Sequence, residues 1–258
     1  MSTLPQGRQP ALPSAAEVVL EQMAAHATVR RFRPEPLPEG LLERLVEAAS
    51  HAPTSSWIQG YSVLRCTRPS ERARLAELAG GQPQVHEAAE FLVICADSRR
   101  HRLVAADAGR PHATNLEAFL QCALDAALFA QNLALGAEAC GLGTCMIGGL
   151  RNELPAVASL LELPEGVWPL FGLCLGLPEE QPLRRPRLAP GALLADDRYP
   201  SDAEVRAAIA DHDREAEGWY AATGRPGRTW SGGVIRTFAS PRREHLRRTY
   251  EDLGAHLD

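Results

Sequence analysis

The feature that most limits the possible folds is a long apolar segment at residues 114–151. Its first part has apolar residues on nearly every side of a helical wheel, which is typical of a helix buried all round. Thr114 followed by Glu117 predicts a capping box at its start, and Gly141 predicts its left-handed end. We therefore expect a central helix around which the rest of the chain packs.

A membrane-spanning helix is the alternative interpretation of this segment. Four polar residues lie near its middle: Gln121, Asp125, Gln131 and Asn132. Such residues are costly in lipid, and no basic cluster flanks the segment. The central helix of a domain that does not enter the membrane is the preferred prediction.

The N-terminal segment gives no sign of a secretory signal. Residues 1–14 contain three prolines and no hydrophobic stretch. We expect a disordered tail over 1–14, a single domain over 15–258 with a C-terminal excursion at about 200–258, and a cytoplasmic location.

The sequence does not show the signals that several functional classes require. The net charge of -5 argues against nucleic acid as a partner. The six cysteines form no CxxC pair and the eight histidines show no metal-ligand spacing, which predicts free thiols and no metal site. A Gly-x-Ser-x-Gly elbow, a Walker loop and a Gly-x-Gly-x-x-Gly motif are also missing. The pattern favours an enzyme in which a bound cofactor carries the chemistry.

Predicted helices and strands alternate along the chain, and hairpin signals are scarce. We predict strands at 61–66, 90–96, after Gly141 and at 167–175, and helices at 15–25, 40–50, 70–79, 152–161, 202–223 and about 241–253, with a loop at 101–112. The apolar side of the first helix comprises Val18, Val19, Leu20 and Met23. This order predicts an α+β domain with a mixed sheet wrapped by helices.

Two arginine-containing segments could bind a phosphate. Thr28 and Arg30 point the same way on an extended chain, and Arg185 and Arg187 follow a predicted buried strand. Guanidinium groups match the geometry of phosphate oxygens. A solvated pair with Arg31, and an ordinary charged loop, are the respective alternatives.

Two further segments could contact a flat ring. Gly148 and Gly149 would let a planar ligand approach the backbone closely. Short hydroxyl side chains that could bond the edge of a heterocycle are found at Thr54, Ser55 and Ser56, where an ordinary turn is the alternative. Together with the arginines, these segments favour a ligand that has a phosphate and a flat ring system.

The order of motifs along the chain resembles that of the nitroreductase family, especially its oxygen-insensitive NADPH nitroreductase and flavin reductase branch. The matching motifs are HATVRRF at 26–32, APTSSWIQ at 52–59, GGQ at 80–82, QN at 131–132, GLGTCMIGGLRN at 141–152, PLFGLCLG at 169–176 and Arg187 with the following leucine. The resemblance implies an α+β fold and an intertwined homodimer. It also implies one FMN per subunit at the interface, with the central helix packed against its counterpart.

The resemblance also implies roles for individual residues. His26, Thr28 and Arg30 would hold the ribityl phosphate and the ring edge, and Arg185 and Arg187 would complete the phosphate site. Other implied flavin contacts are Thr54, Ser55 and Ser56, partly from the other subunit, Gln82, and the backbone of Ile147, Gly148 and Gly149. Either His26 or Gln82 is expected to stabilise negative charge on the reduced ring.

The substrate side of the implied site differs from the family pattern. Arg151 and Met146 would border the acceptor, with Met146 replacing the usual aromatic residue. Arg225 and Arg228 would be near the 2′-phosphate of NADPH. Ala27 and Thr223 stand where arginine is usual, and Arg185 stands where lysine is usual.

We therefore expect an FMN-dependent NAD(P)H oxidoreductase, with NADPH as the preferred donor. Hydride would pass to the flavin in a ping-pong cycle, and then to a small aromatic acceptor such as a nitroaromatic, a quinone or a free flavin. The alternatives are a flavin-binding sensor or store that does not turn over, and a structural helical dimer without a ligand.

Overall fold

The computed structural model describes residues 14–257. The disordered tail predicted for 1–14 lies outside the described residues, except for Ser14, the first residue of α1. The helices are α1 (Ser14–Ala24), α2 (Leu41–Ala49), α3 (Pro69–Leu78), α4 (Gln84–Glu87), α5 (Arg99–Asp107), α6 (Leu116–Ala139), α7 (Leu154–Leu160), α8 (Pro190–Leu193), α9 (Asp202–Ala222), α10 (Trp230–Phe238) and α11 (Leu246–Asp252). Short 3-10 helices cover Ser55–Trp57 and Gly148–Arg151.

The sheet contains four strands: β1 (Tyr61–Arg65), β2 (Glu90–Asp97), β3 (Gly143–Ile147) and β4 (Val167–Gly176). Their spatial order is β1-β2-β4-β3, and every neighbouring pair is antiparallel. The predicted α+β class is confirmed, but the expected mixed sheet is wrong for the described part of the chain. The cause is that β2 and β4 are buried on both faces, a pattern more typical of parallel strands.

The hydrophobic core lies on both faces of the sheet, because successive residues of β2 point to opposite sides. Phe91 and Val93 pack with residues of α3, α4 and α7. Leu92 and Ile94 pack with residues of α2 and α6 on the other face. Helix α6 thus lies directly against the sheet, as the prediction of a central helix required.

The start of α6 differs from the predicted capping box. Asn115 is the N-cap, and its side-chain oxygen accepts a hydrogen bond from the backbone N–H of Ala118 at 3.1 Å. Glu117 instead accepts a hydrogen bond from the Gln121 side chain. Asparagine is as good an N-cap as threonine, and it lies one residue closer to the helix. The predicted end is confirmed, since Gly141 has a φ of 79°.

The prediction that α6 is buried all round is wrong for the single chain. Phe129 and Leu133 are buried between the sheet and α2. The opposite side carries an exposed stripe of leucines at helical spacing: Leu116, Leu120, Leu124 and Leu128. The apolar side predicted for α1 is exposed as well, because none of Val18, Val19, Leu20 and Met23 is buried.

By length and composition, α6 is the one helix in residues 14–257 that could cross a membrane. Its midpoint, however, holds the buried carboxylate of Asp125, which accepts hydrogen bonds from two backbone N–H groups. Together with its packing on the sheet, this makes α6 the core helix of the domain.

Residues 101–112, predicted as a loop, are largely helical, since α5 spans Arg99–Asp107. This helix has no buried residue, so it lacks the apolar periodicity by which sequence patterns identify helices. Its arginines, leucine and alanines have high intrinsic helix propensity, which explains why the segment is helical without a buried face.

All six cysteines are free, and five of them are buried. Burial raises the pKa of the Cys66 thiol to about 11 and that of Cys122 to about 12. Within residues 14–257 there is no cluster of histidine, cysteine and acidic side chains suited to a metal ion.

Candidate functional site

A pocket of about 210 Å³ lies between the segment after α1, the loop after β4 and the end of α9. We call it the basic pocket, because four guanidinium groups line it: those of Arg30, Arg185, Arg187 and Arg225. His26 and Thr28 line it as well. The structure therefore brings together all five residues predicted to bind a phosphate, although the two segments are more than 150 residues apart in sequence.

Within the described part of the chain, the four guanidinium groups of the basic pocket make no ion pair. Among residues 14–257, no carboxylate lies within ion-pair distance of any of these four guanidinium groups. Converging cations without a counter-charge create a strongly positive local potential. The arrangement suits a dianion such as a phosphate monoester.

The backbone around Arg30 is held in an extended form by two groups. The N–H of Val29 donates to the carbonyl oxygen of Thr144 in β3 at 2.9 Å. The carboxylate of Glu180 accepts hydrogen bonds from the backbone N–H of Arg30 at 2.7 Å and of Arg31 at 3.1 Å. Glu180 also accepts from the Arg31 guanidinium, which leaves the Arg30 guanidinium free for a ligand.

Glu180 is ionised at neutral pH. Burial raises the pKa of Glu180, but the hydrogen bonds from the backbone of Arg30 and Arg31 and from the Arg31 side chain outweigh burial. The pKa of Glu180 therefore lies below its ordinary value. The carboxylate accepts hydrogen bonds from the peptide backbone and does not pair with a guanidinium of the basic pocket.

His26 is oriented by α6. Its Nδ1 lies 2.7 Å from Oε1 of Glu138, and the same oxygen accepts a hydrogen bond from the hydroxyl of Thr144 at 2.6 Å. Because a carboxylate only accepts, Nδ1 carries a proton, and Nε2 is the nitrogen available to a ligand. Ala27 lines the same pocket without adding charge.

A second group of predicted residues meets at the far end of β3. Gln82 donates to the carbonyl oxygen of Ala79 at 2.8 Å and accepts from Gln84 at 2.9 Å. A Cβ atom on Gly149 would lie 2.2 Å from Gln82 Nε2 and 2.3 Å from the Ala79 oxygen. Gly149 is therefore required by the close approach of the protein's own groups. The sequence analysis predicted glycine here so that a planar ligand could approach the backbone, but the contacts with Gln82 and Ala79 are within the protein.

The residues around Gly149 differ in exposure and in charge. Ile147 is fully buried, whereas Gly148 and Gly149 are half-buried, so the backbone of these two glycines is the part that a ligand can reach. A Cβ atom on Gly148 would lie 3.4 Å from the Arg151 guanidinium, which itself donates to the carbonyl oxygen of Leu170 at 2.5 Å. Met146 is 47% exposed on the outer side of β3.

Arg151 also lines a second pocket, of about 610 Å³, with Arg242 and Arg243. Burial lowers the pKa of Arg243, and the charges of Arg151 and Arg242 lower it further. The side chain of Arg243 donates to the Asn152 side chain at 3.0 Å, which ties the C-terminal segment to the end of β3.

The hydroxyl residues Thr54, Ser55 and Ser56 do not line the basic pocket of their own chain. They lie against α6, where Ser55 N–H donates to the Asp125 carboxylate at 2.9 Å and Gly60 N–H donates to it at 3.0 Å. Positive φ angles follow at Ser56, Trp57 and Gln59, and Trp57 is 83% exposed.

The two arginines predicted to meet NADPH are separated in the structure. Arg225 lines the basic pocket beside Thr223, whereas Arg228 does not. The Arg225 guanidinium lies 5.2 Å from the ring centre of Trp219, and the Arg185 guanidinium lies 5.3 Å from the same ring. No sequence pattern indicated Trp219, Glu138 or Glu180, because their partners are distant in the chain or lie in an irregular turn.

The two ends of the site are joined by β3. Thr144 bonds the segment that carries Arg30, and Gly148 lies four residues further on, about 13 Å at the usual rise of a strand. An elongated ligand with an anionic end and a flat end would match this arrangement.

Comparison with known proteins identifies the family. A sequence model described as "Nitroreductase family" matches residues 23–177, and one described as "Nitroreductase family, C-terminal domain" matches residues 185–258. The chain belongs to the nitroreductase family, as its motifs predicted.

Individual relatives cover almost the whole chain. The oxygen-insensitive NADPH nitroreductase of Salmonella typhimurium is 37% identical over 88% of this chain and 93% of its own. The FMN reductase (NADPH) of Bacillus subtilis is 34% identical over 91% of this chain and 97% of its own. The structure of B. megaterium NfrA1 superposes with a TM-score of 0.89 at 36% identity, covering 92% of this chain and 99% of the other. These relatives confirm the branch that the motifs indicated.

Proposed function

We propose that this protein is an FMN-dependent NAD(P)H oxidoreductase that reduces small aromatic acceptors by two-electron transfer. The observation that carries the proposal is the basic pocket, in which guanidinium groups that make no ion pair within residues 14–257 converge at one end of β3. Relatives that span almost the whole chain are an FMN reductase (NADPH) and an oxygen-insensitive NADPH nitroreductase. They give no support to the alternative of a flavin-binding sensor or store.

The basic pocket fits the phosphate of FMN. Arg30, Arg185 and Arg187 supply three guanidinium groups, each able to donate a pair of hydrogen bonds to phosphate oxygens. Thr28 adds a hydroxyl donor to the phosphate. Nε2 of His26 accepts when the proton is on Nδ1, so it would bond a ribityl hydroxyl of the same ligand. Uncharged riboflavin would leave these cations without a partner, so the pocket favours the phosphorylated cofactor.

We assign the ring to the opposite end of β3. The side chain of Gln82 and the backbone of Gly148 and Gly149 would contact its edge and face, with the buried Ile147 beneath the two glycines. FMN bound there would supply two-electron hydride chemistry between a nicotinamide and an acceptor. Gln82 would stabilise the negative charge that this transfer develops, because His26 lines the basic pocket at the other end of the site.

The donor and the acceptor would use the same open face in turn. Arg151 and Met146 border that face, and Arg228 lies on an exposed loop that could meet the 2′-phosphate of NADPH. NADPH is the donor we propose, in agreement with the names of the relatives. Nitroaromatics, quinones and free flavins are the proposed acceptors.

We further propose a homodimer in the cytoplasm. The exposed leucine stripe of α6, with the exposed apolar residues of α1 beside it, provides the kind of surface that obligate interfaces bury. A partner packed there would bring Thr54, Ser55 and Ser56 to the flavin of the other subunit.

One rapid-mixing experiment tests the activity. The purified protein is expected to carry the yellow flavin absorbance, to lose it on mixing with NADPH, and to regain it on addition of a quinone. Steady-state rates with NADPH and NADH then give the donor preference. A flavin that NADPH does not bleach would contradict the proposal, and a colourless protein that takes up no FMN would do so as well.

A further inference from the structure

The end of α9 supplies a feature of the basic pocket that the family resemblance did not predict. The ring of Trp219 lies beside two guanidinium groups, those of Arg185 at 5.3 Å and Arg225 at 5.2 Å from its centre. Both distances are within the range of cation–π contacts. The ring therefore connects the loop after β4 with the turn after α9.

Arg225 is brought back onto α9 by the turn that ends the helix. Gly224 has a φ of 74°, a conformation that glycine adopts without strain. The N–H of Arg225 donates to the carbonyl oxygen of Tyr220 at 2.8 Å, and the Arg225 side chain lies 5.5 Å from the Tyr220 ring. The Thr223 hydroxyl accepts a long hydrogen bond of 3.4 Å from the Arg225 guanidinium.

Within residues 14–257, two groups at this end of the pocket lack the counterpart that they would favour, a counter-ion for Arg225 and a hydrogen-bond acceptor for Trp219. The Arg225 guanidinium has no carboxylate within ion-pair distance among residues 14–257, and its neighbour Arg185 carries the same charge. Trp219 Nε1 is buried and has no hydrogen-bond acceptor within that range. A buried unpaired donor and adjacent like charges are both unfavourable, and an anion in the pocket would relieve them.

We propose that Arg225, supported by the ring of Trp219, is a fourth guanidinium ligand of the cofactor phosphate, so that the end of α9 forms one wall of that site. The proposal rests on the function proposed above. It moves Arg225 from the predicted 2′-phosphate site of NADPH to the phosphate of FMN, and it leaves Arg228 as the arginine available to NADPH. Trp219 is a positioning residue, because it acts through Arg185 and Arg225.

The test compares two alanine variants that remove the same charge from the same loop. Arg225→Ala removes a guanidinium that lines the basic pocket, and Arg228→Ala removes one that does not. Apoprotein of each variant is titrated with FMN and with riboflavin, and binding is followed by quenching of flavin fluorescence. Arg30→Ala provides the reference for loss of the phosphate site.

We expect Arg225→Ala to raise the Kd for FMN about tenfold or more, the usual effect of losing a charge-assisted hydrogen bond. The Kd for riboflavin, which has no phosphate, should change less than about twofold, and the Kd for FMN of Arg228→Ala should equal that of the wild type. Trp219→Leu should also raise the Kd for FMN more than the Kd for riboflavin, with the KM for NADPH unchanged.

Three results would overturn the proposal: equal Kd values for FMN in the Arg225→Ala and Arg228→Ala variants, equal weakening of FMN and riboflavin by Arg225→Ala, or a rise only in the KM for NADPH. The reference variant separates this failure from failure of the proposed function. If Arg30→Ala loses FMN while Arg225→Ala keeps it, only the role of Arg225 is rejected. If Arg30→Ala also keeps FMN, the phosphate site itself is rejected.

Discussion

The carboxylate of Asp125, in the middle of α6, accepts a hydrogen bond of 2.9 Å from the backbone N–H of Ser55, 70 residues earlier in the chain. Its other oxygen accepts from Gly60 N–H, so one buried side chain holds both ends of the loop between them. Three residues of this loop have positive φ angles, which cost of order 1 kcal/mol each outside glycine. Asp125 thus supports a conformation that the loop would not adopt alone.

Asp125→Ala is expected to destabilise the protein by about 3 kcal/mol, because two buried backbone N–H groups lose a charged acceptor. The free energy of unfolding in urea measures the loss. Glu117→Ala, on an exposed part of α6, is the control and should change it by less than about 1 kcal/mol. Equal effects of the two substitutions would show that Asp125 does not hold the loop.

Arg30→Ala should lose FMN during purification, because it removes a guanidinium at the centre of the proposed phosphate site. The ratio of flavin absorbance to protein absorbance measures occupancy. Arg33→Ala, three residues away and exposed, removes the same charge without touching the basic pocket and should keep the cofactor. Full flavin absorbance in the Arg30 variant would rule out the phosphate assignment.

Gly149→Ala should destabilise the protein by about 1–3 kcal/mol, the usual cost of inserting a methyl group into a packed site. The Gln82 amide could rotate away from the new Cβ, but the Ala79 carbonyl oxygen at 2.3 Å belongs to the backbone. Thermal unfolding measures the change. Gly218→Ala is the control at an exposed position of α9. Apart from the local backbone of the helix, nothing lies within 4 Å of the new Cβ, and the substitution should stabilise the helix slightly.

Acid should loosen the basic pocket through Glu180. Its folded-state pKa lies below the ordinary value, so its stabilising contribution is complete above the unfolded pKa, about 4.3. The contribution is lost as the pH falls through the lower folded-state pKa. FMN retention measured between pH 7 and pH 3 should therefore decline at the acid end, and Glu180→Gln should retain less FMN at pH 7. A variant with the retention profile of the wild type would show that Glu180 does not support the pocket.

Leu124→Glu should convert the proposed dimer into a monomer, because it places a charge in the leucine stripe that the partner would cover. Light scattering after size-exclusion chromatography gives the mass of each species. Val104→Glu makes the same change at an exposed residue of α5 and should leave the dimer intact. A wild-type protein that is already monomeric would contradict the proposal outright.

The parts of the fold that were predictable from the sequence are those with strong local signals. Gly141 at the end of α6, the apolar strands β2 and β4 and the polar helix α9 were all found from periodicity and turn residues. Helix α5 was missed because it buries no residue. The strand directions were missed because β2 and β4 are buried on both faces, a pattern more typical of parallel strands, although they lie in an antiparallel sheet.

The candidate site was predictable only where a motif carried it. Arg30 and Arg187 were singled out by residue type and resemblance, and the structure places them in one pocket. Glu180 and Glu138 act on residues 150 and 112 positions away, and no local pattern in a single sequence encodes such contacts. Trp219 was not singled out either, because its place in the site depends on contacts with two arginines that only the fold reveals.

One helix holds two separate segments that are proposed to contact a flavin: α6 fixes the loop of Thr54, Ser55 and Ser56 through Asp125 and orients His26 through Glu138. Unfolding of α6 would free both segments at once. Heating should therefore release the flavin and abolish the far-ultraviolet circular dichroism of the helices in a single transition. We expect no intermediate that keeps its helices after it has lost the flavin.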